Sequence, residues 1–191
     1  MELSIDLEKR YTLTDYLSWT DDRVRGLIDG VVKLMSPSAN FRHQKISFNV
    51  NSEIQKVIDK NKSDYEVCQD LDVIFSDNTV VRPDVLVVCD VSKLATGRCR
   101  GVPDLVVEIQ SHSTAKYDLN EKFQTYEKYA VPEYWVIFPY ENIIHVYKLQ
   151  PDGKYALPVV YEKGAIPLFF IAENCEISLE IIFKSKWTTK N

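Results

Sequence analysis

Apolar residues at Ile46, Val50, Ile54, Val57 and Ile58 recur at intervals of four, four, three and one, which sets them on one helical face. This predicts an amphipathic helix from residue 41 to about 60. A second row, Leu119, Phe123, Tyr126 and Ala130, predicts a helix from about 116 to 130, and a shorter one is expected to begin near Thr14. Strand patterns fill the rest. Arg25-Gly26-Leu27-Ile28 and Val31-Val32-Lys33-Leu34-Met35 flank Asp29-Gly30, a pair suited to the positive φ angles of a tight hairpin turn. Residues 65–75, 81–89 and 103–110 are rich in Val, Ile and Leu, are bounded by turn residues, and predict strands. Residues 134–138, 143–149 and 155–161 read the same way, with further short β segments over 165–183. The order predicts an α/β (α+β) domain: a central mixed β-sheet flanked by helices, with extra C-terminal β-strands.

Composition narrows the class. The 191 residues suffice for one well-packed domain, expected to span 1–191, with no repeat or low-complexity linker to divide it. A hydrophobic content of 45% excludes a disordered chain. With 23 Lys and Arg against 28 Asp and Glu, the net charge of −5 argues against a generally basic nucleic-acid coat but leaves room for a local basic groove. No apolar run approaches the ~20 residues of a membrane-spanning helix. Met1-Glu2-Leu3-Ser4-Ile5-Asp6 lacks the basic and apolar regions of a secretory signal. Cys68, Cys89, Cys99 and Cys175 form no metal-ligand spacing and read as free thiols, so a cytoplasmic location is expected.

Two acids stand in segments that otherwise call for burial. Asp84 opens Arg82-Pro83-Asp84-Val85-Leu86-Val87-Val88, and Glu108 interrupts Asp104-Leu105-Val106-Val107-Glu108-Ile109. A carboxylate among residues buried on both faces costs several kcal/mol unless a metal or a cation accompanies it. Asp104 and Glu108 lie about 13 Å apart along one strand, too far to share an ion. If the two segments pair antiparallel, the start of the first meets the end of the second. Asp84 then lies beside Glu108, and Asp104 is left to bond local backbone.

Asp118, Lys122 and Tyr126 form one row on the following helix. Lys122 flanks the apolar stripe, so its ammonium can reach the carboxylates, where a cation suits stabilising a phosphorane-like charge or orienting a water. The same spacing also describes an ordinary surface pair between Asp118 and Lys122. His43, next to Arg42 and Lys45, reads as a phosphate contact, a site residue or a polar helix-start residue; His112 reads as a loop position and His145 as a solvated strand position. Lys93, Arg98 and Arg100 lie in the acid-free loop Ser92 to Gly101, within the connection that joins the two carboxylate segments, and Lys116 follows shortly. These cations either hold a phosphate backbone near the acids or decorate a solvated loop.

Taken together, several motifs resemble one bacterial family. They are Gly101-Val102-Pro103-Asp104-Leu105-Val106-Val107-Glu108-Ile109, then Ser111-His112-Ser113-Thr114, Asp118, Lys122, Tyr126 and Val131-Pro132-Glu133-Tyr134-Trp135-Val136. Upstream, Leu27-Ile28-Asp29-Gly30, Met35-Ser36-Pro37-Ser38, His43-Gln44 with Ile46, and Arg82-Pro83-Asp84-Val85-Leu86-Val87-Val88 agree. The chain is similar, over roughly residues 10–150, to the Uma (Uma-two-type) restriction endonuclease family of the PD-(D/E)XK nuclease superfamily.

That resemblance implies a restriction-endonuclease-like core and a Mg²⁺-dependent (or Mn²⁺-dependent) endonuclease acting on DNA. Asp84 and Glu108 would be metal ligands, with the Ile109 carbonyl a third. The superfamily's strand lysine is replaced by Gln110, so its role passes to Lys122. The family's glutamates flanking the hairpin are Gly26 and Val31 here, its Val-Asp-Pro is represented by Phe138-Pro139, and a proline of its Ser-Pro-Ser-Thr is His112. These departures motivate a second expectation, a catalytically degenerate nuclease fold acting as a nucleic-acid- or protein-binding module. A third, a structural protein, would pair the two acids with Arg or Lys. The 12% aromatic content and β-rich C-terminal region also suggest a homodimer.

Overall fold

The structure, a computed structural model, describes residues 6, 8–20, 23–34, 40–110, 115–168, 171 and 174–184, excepting the side chains of 115–119. In chain order the elements are α1 (Leu13–Ser18), β1 (Arg25–Ile28), β2 (Val31–Leu34), α2 (Phe41–Asn61), β3 (Glu66–Gln69), β4 (Val73–Ser76), β5 (Thr79–Val81) and β6 (Val85–Val88). A 3₁₀ turn (Val91–Leu94) then leads to β7 (Cys99–Arg100), β8 (Leu105–Ile109), α3 (Ala115–Lys128), β9 (Glu133–Phe138), β10 (Ile143–Lys148), β11 (Val159–Tyr161), β12 (Ala165–Pro167), β13 (Glu176–Ser178) and α4 (Leu179–Ile182).

Local chemistry explains the boundaries. Thr12 and Asp15 form a reciprocal cap on α1, and the Asn40 side chain accepts the His43 amide at the start of α2. The β1–β2 turn needs positive φ at Asp29 (49°) and Gly30 (79°). A side chain at Gly30 would meet the Tyr11 carbonyl at 3.2 Å.

The larger sheet has six strands in the order β11-β10-β9-β8-β6-β3. β8 runs parallel to β9 and antiparallel to β6. All five residues of β8 are buried. Leu105, Val107 and Ile109 face Ile46, Val50, Ile54 and Ile58 of α2, while Val106 packs on the opposite face with Tyr126 of α3 and Tyr134 of β9. Alternation therefore aims Glu108 toward α3.

The expected central mixed sheet is present, and a five-stranded sheet, β2-β1-β5-β4-β7, accompanies it. Two segments read as single strands are each divided between the sheets. Residues 65–75 break where Asp70 adopts φ 50°, and 81–89 break at Arg82-Pro83-Asp84, where the proline has no amide for a ladder. At this double crossing, buried Asp72 accepts hydrogen bonds from Arg82 Nε at 2.8 Å and Arg98 Nε at 3.3 Å. Only 159–161 of the segment 155–161 form a strand, Tyr155 making an isolated bridge to Leu149, and the tail adds α4 to its short strands. His145 is half-buried against the Phe138 ring, 4.6 Å between centroids, rather than freely solvated. His112 lies outside the described residues.

Candidate active site

The β6–β8 register pairs Val85 with Val107, Leu86 with Val106 and Val87 with Leu105. Carried one position further, it sets Asp84 opposite Glu108, on the same face at the end of the ladder. The Asp84 side chain then takes over from the ladder: its Oδ2 accepts the Ile109 amide at 2.6 Å. Asp104 instead accepts the Cys89 amide at 2.8 Å, across the strand pair at its other end.

Glu108 is 6% exposed and each of its oxygens has a donor on α3. Lys122 Nζ lies 2.7 Å from Oε2, and the Tyr126 hydroxyl donates to Oε1 at 2.6 Å. The four-residue spacing of these donors places them one turn apart on the same helical face. Burial raises the Glu108 pKa above the usual carboxylate range; Lys122 opposes this, and the charge of Asp84 adds to it. The lysine thus has an inward role, rather than belonging to a surface pair alone.

α2 contributes from the opposite side of the sheet. His43 Nε2 is 3.3 Å from Asp84 Oδ2. Burial works to lower the His43 pKa, but the hydrogen bond and charge of Asp84, with Glu108 and Asp70 behind them, carry it above its ordinary value. Asp70 is a third acid at this end, one position beyond the β3–β6 pairing of Gln69 with Val85, and its amide donates to the Asp84 carbonyl at 3.3 Å. Burial and then the charge of Asp84 raise its pKa. Neither Asp70 nor the Glu108 bond of Tyr126 was singled out from the sequence. The register of three adjacent strands is the signal for the first, and the four-residue step from Lys122 is the signal for the second.

The structure therefore brings Asp84, Glu108, the Ile109 backbone, Lys122 and His43 together. The connection bearing Lys93 leaves β6 and joins β8 at the ends away from the two acids, and Lys93 Nζ donates to the Val102 carbonyl there at 2.8 Å. Arg98 is engaged by Asp72, Arg100 is exposed, and the side chain of Lys116 lies outside the described residues.

Among the described residues, no group of three or more His, Cys, Asp and Glu forms a ready-made metal cage. The oxygen donors present nevertheless suit Mg²⁺, which binds through one or two carboxylates together with water and substrate phosphates. Two carboxylates facing each other across adjacent strands supply hard ligands, and each oxygen of Glu108 keeps a lone pair beyond the one its donor uses. Among the described residues, no helix is long and apolar enough to cross a membrane.

A structure from Anabaena variabilis ATCC 29413, described as a "putative nuclease belonging to DUF820", matches with a TM-score of 0.72 at 20% identity, over 90% of this chain and 97% of that one. At that identity it establishes a shared fold. No curated protein matches. The Uma2 family model, described as "Putative restriction endonuclease", matches residues 13–179. That span takes in both carboxylate strands, α2 and α3, and the chain belongs to this family.

Proposed function

We propose that the protein is a metal-dependent endonuclease that hydrolyses phosphodiester bonds in DNA, with Asp84 and Glu108 holding Mg²⁺ or Mn²⁺ and the Ile109 carbonyl as a third ligand. One observation carries this reading: two acids at the end of buried strands stand opposite each other, with a lysine against one of them. When bound, the divalent ion would supply charge neutralisation at the scissile phosphate and acidify the attacking water.

The chain's own groups do the rest. Lys122 works against the burial that raises the Glu108 pKa, favouring its ionised form, and offers positive charge where the oxygens of the five-coordinate phosphorus develop negative charge. The Ile109 amide and His43 both engage Asp84 Oδ2, which leaves Oδ1 to serve the metal. Hydrolysis forms one bond from water oxygen to phosphorus and breaks one to the leaving oxygen, which takes up a proton. The same reading has the enzyme acting as a homodimer in the cytoplasm, checked by light scattering and cell fractionation.

Purified protein is expected to nick or linearise plasmid DNA with Mg²⁺ or Mn²⁺, to stop on chelation, and to lose activity as Asp84→Ala or Glu108→Gln. Cleavage that persists in Asp84→Ala refutes the assignment. Gly26 and Val31, where the family carries glutamates, favour a second reading as a degenerate binding module. That reading requires wild-type protein to bind nucleic acid or a protein partner without binding divalent ions through Glu108.

A further inference from the structure

We propose that Tyr126 is a positioning residue for the proposed metal ligand: its hydroxyl, bonded to Glu108 Oε1, fixes the plane in which Glu108 presents its oxygens to a divalent cation. The inference rests on the metal-dependent reading above and adds a residue to it. A glutamate's terminal torsion is broad and roughly two-fold, so a single donor leaves the carboxylate free to swing. Here the two oxygens are held separately, Oε2 by Lys122 at 2.7 Å and Oε1 by Tyr126 at 2.6 Å. With both held, the remaining lone pairs have one direction.

Packing makes the Tyr126 donor rigid before any ion arrives. The side chain is fully buried, with its ring 6.3 Å from Phe75 and 5.0 Å from Tyr134 between centroids. No solvent competes for the hydroxyl. The neighbouring phenol provides the contrast: Tyr134 is equally buried in the same aromatic cluster, yet its hydroxyl has no hydrogen-bond partner among the described residues. Burial in this cluster does not by itself give a phenol a partner, so the bond from Tyr126 to Glu108 reflects where Tyr126 sits on α3. Tyr126 does not touch the reacting atoms in this scheme; it acts through Glu108.

The test compares Tyr126→Phe and Tyr134→Phe, each lacking one oxygen and keeping its ring contacts, with wild type and Glu108→Gln. Mn²⁺ affinity is measured by calorimetry and cleavage is followed against Mn²⁺ concentration, alongside melting temperature. Tyr126→Phe is expected to bind Mn²⁺ about tenfold more weakly, the scale for removing a group that orients a ligand. It should need about tenfold more Mn²⁺ for half-maximal cleavage while its rate at saturating Mn²⁺ stays within about threefold. Tyr134→Phe should bind Mn²⁺ as wild type does. Wild-type affinity in Tyr126→Phe, or an equal loss in both variants, overturns the proposal. If wild type and Glu108→Gln bind Mn²⁺ alike, the metal reading itself fails, and this inference with it.

Discussion

His43 Nε2 lies 3.3 Å from Asp84 Oδ2, joining the first turn of α2 to the end of a strand more than forty positions later in the chain. The contact holds the acid from the side of the sheet opposite α3. His43→Ala is expected to lower cleavage by about 10–100-fold, the usual effect of removing a group that orients a metal ligand. His43→Gln should recover part of the loss. Rates on plasmid DNA at saturating Mg²⁺ check this, and an unchanged rate in His43→Ala would remove the histidine from the site.

Burial raises the pKa of Glu108, so the folded chain holds that proton more tightly than the unfolded chain does. The resulting stability is whole below the ordinary carboxylate pKa and is lost as pH rises through the folded value. Glu108→Gln, which does not titrate, should therefore gain melting temperature relative to wild type between about pH 4 and about pH 8. Lys122→Met removes the cation that favours the ionised form and should lose more stability at the higher pH. Thermal melts of the three proteins at both pH values give the comparison.

Asp72→Ala should destabilise the fold by about 2–3 kcal/mol, below the usual figure for breaking a buried pair because both guanidinium partners keep access to water. Urea unfolding measures it. A change under about 0.5 kcal/mol would mean that the crossing between the sheets does not depend on this carboxylate.

Lys93 is bonded to Val102 at the end of β6 and β8 away from the two acids. Lys93→Gln is accordingly expected to leave DNA cleavage within about twofold and the salt dependence of DNA binding unchanged, since a lost phosphate contact would reduce that slope by about one. A reduced slope would restore this lysine to the binding surface.

The pairing of Asp84 with Glu108 was legible because strand spacing excluded Asp104 and an antiparallel return left one arrangement. The inward reach of Lys122 was half legible: helical spacing gave its row, but which side of that row met the acid depended on how α3 lay across β8 and β9. His43 was ambiguous for the same reason, since helix phase does not say which strand end a first-turn residue meets. The five-stranded sheet was hidden. Val, Leu and Ile continue on both sides of Leu71-Asp72 and Arg82-Pro83, and alternation does not register that a chain has left one sheet for another. Pro83 and the acids at 70 and 72 were the available signs of a corner.

That corner sets a strict ruler for the chemistry. Asp84 stands one residue outside β6, directly after the turn that carries the chain over from the smaller sheet. Deleting a single residue from Arg82-Pro83 would either drag β6 along its neighbour, turning its alternate side chains inside out, or swing the acid away from Glu108. The distance between the sheets is thus written into the geometry of the proposed site, and the linker that spans it should tolerate changes of residue far better than changes of length.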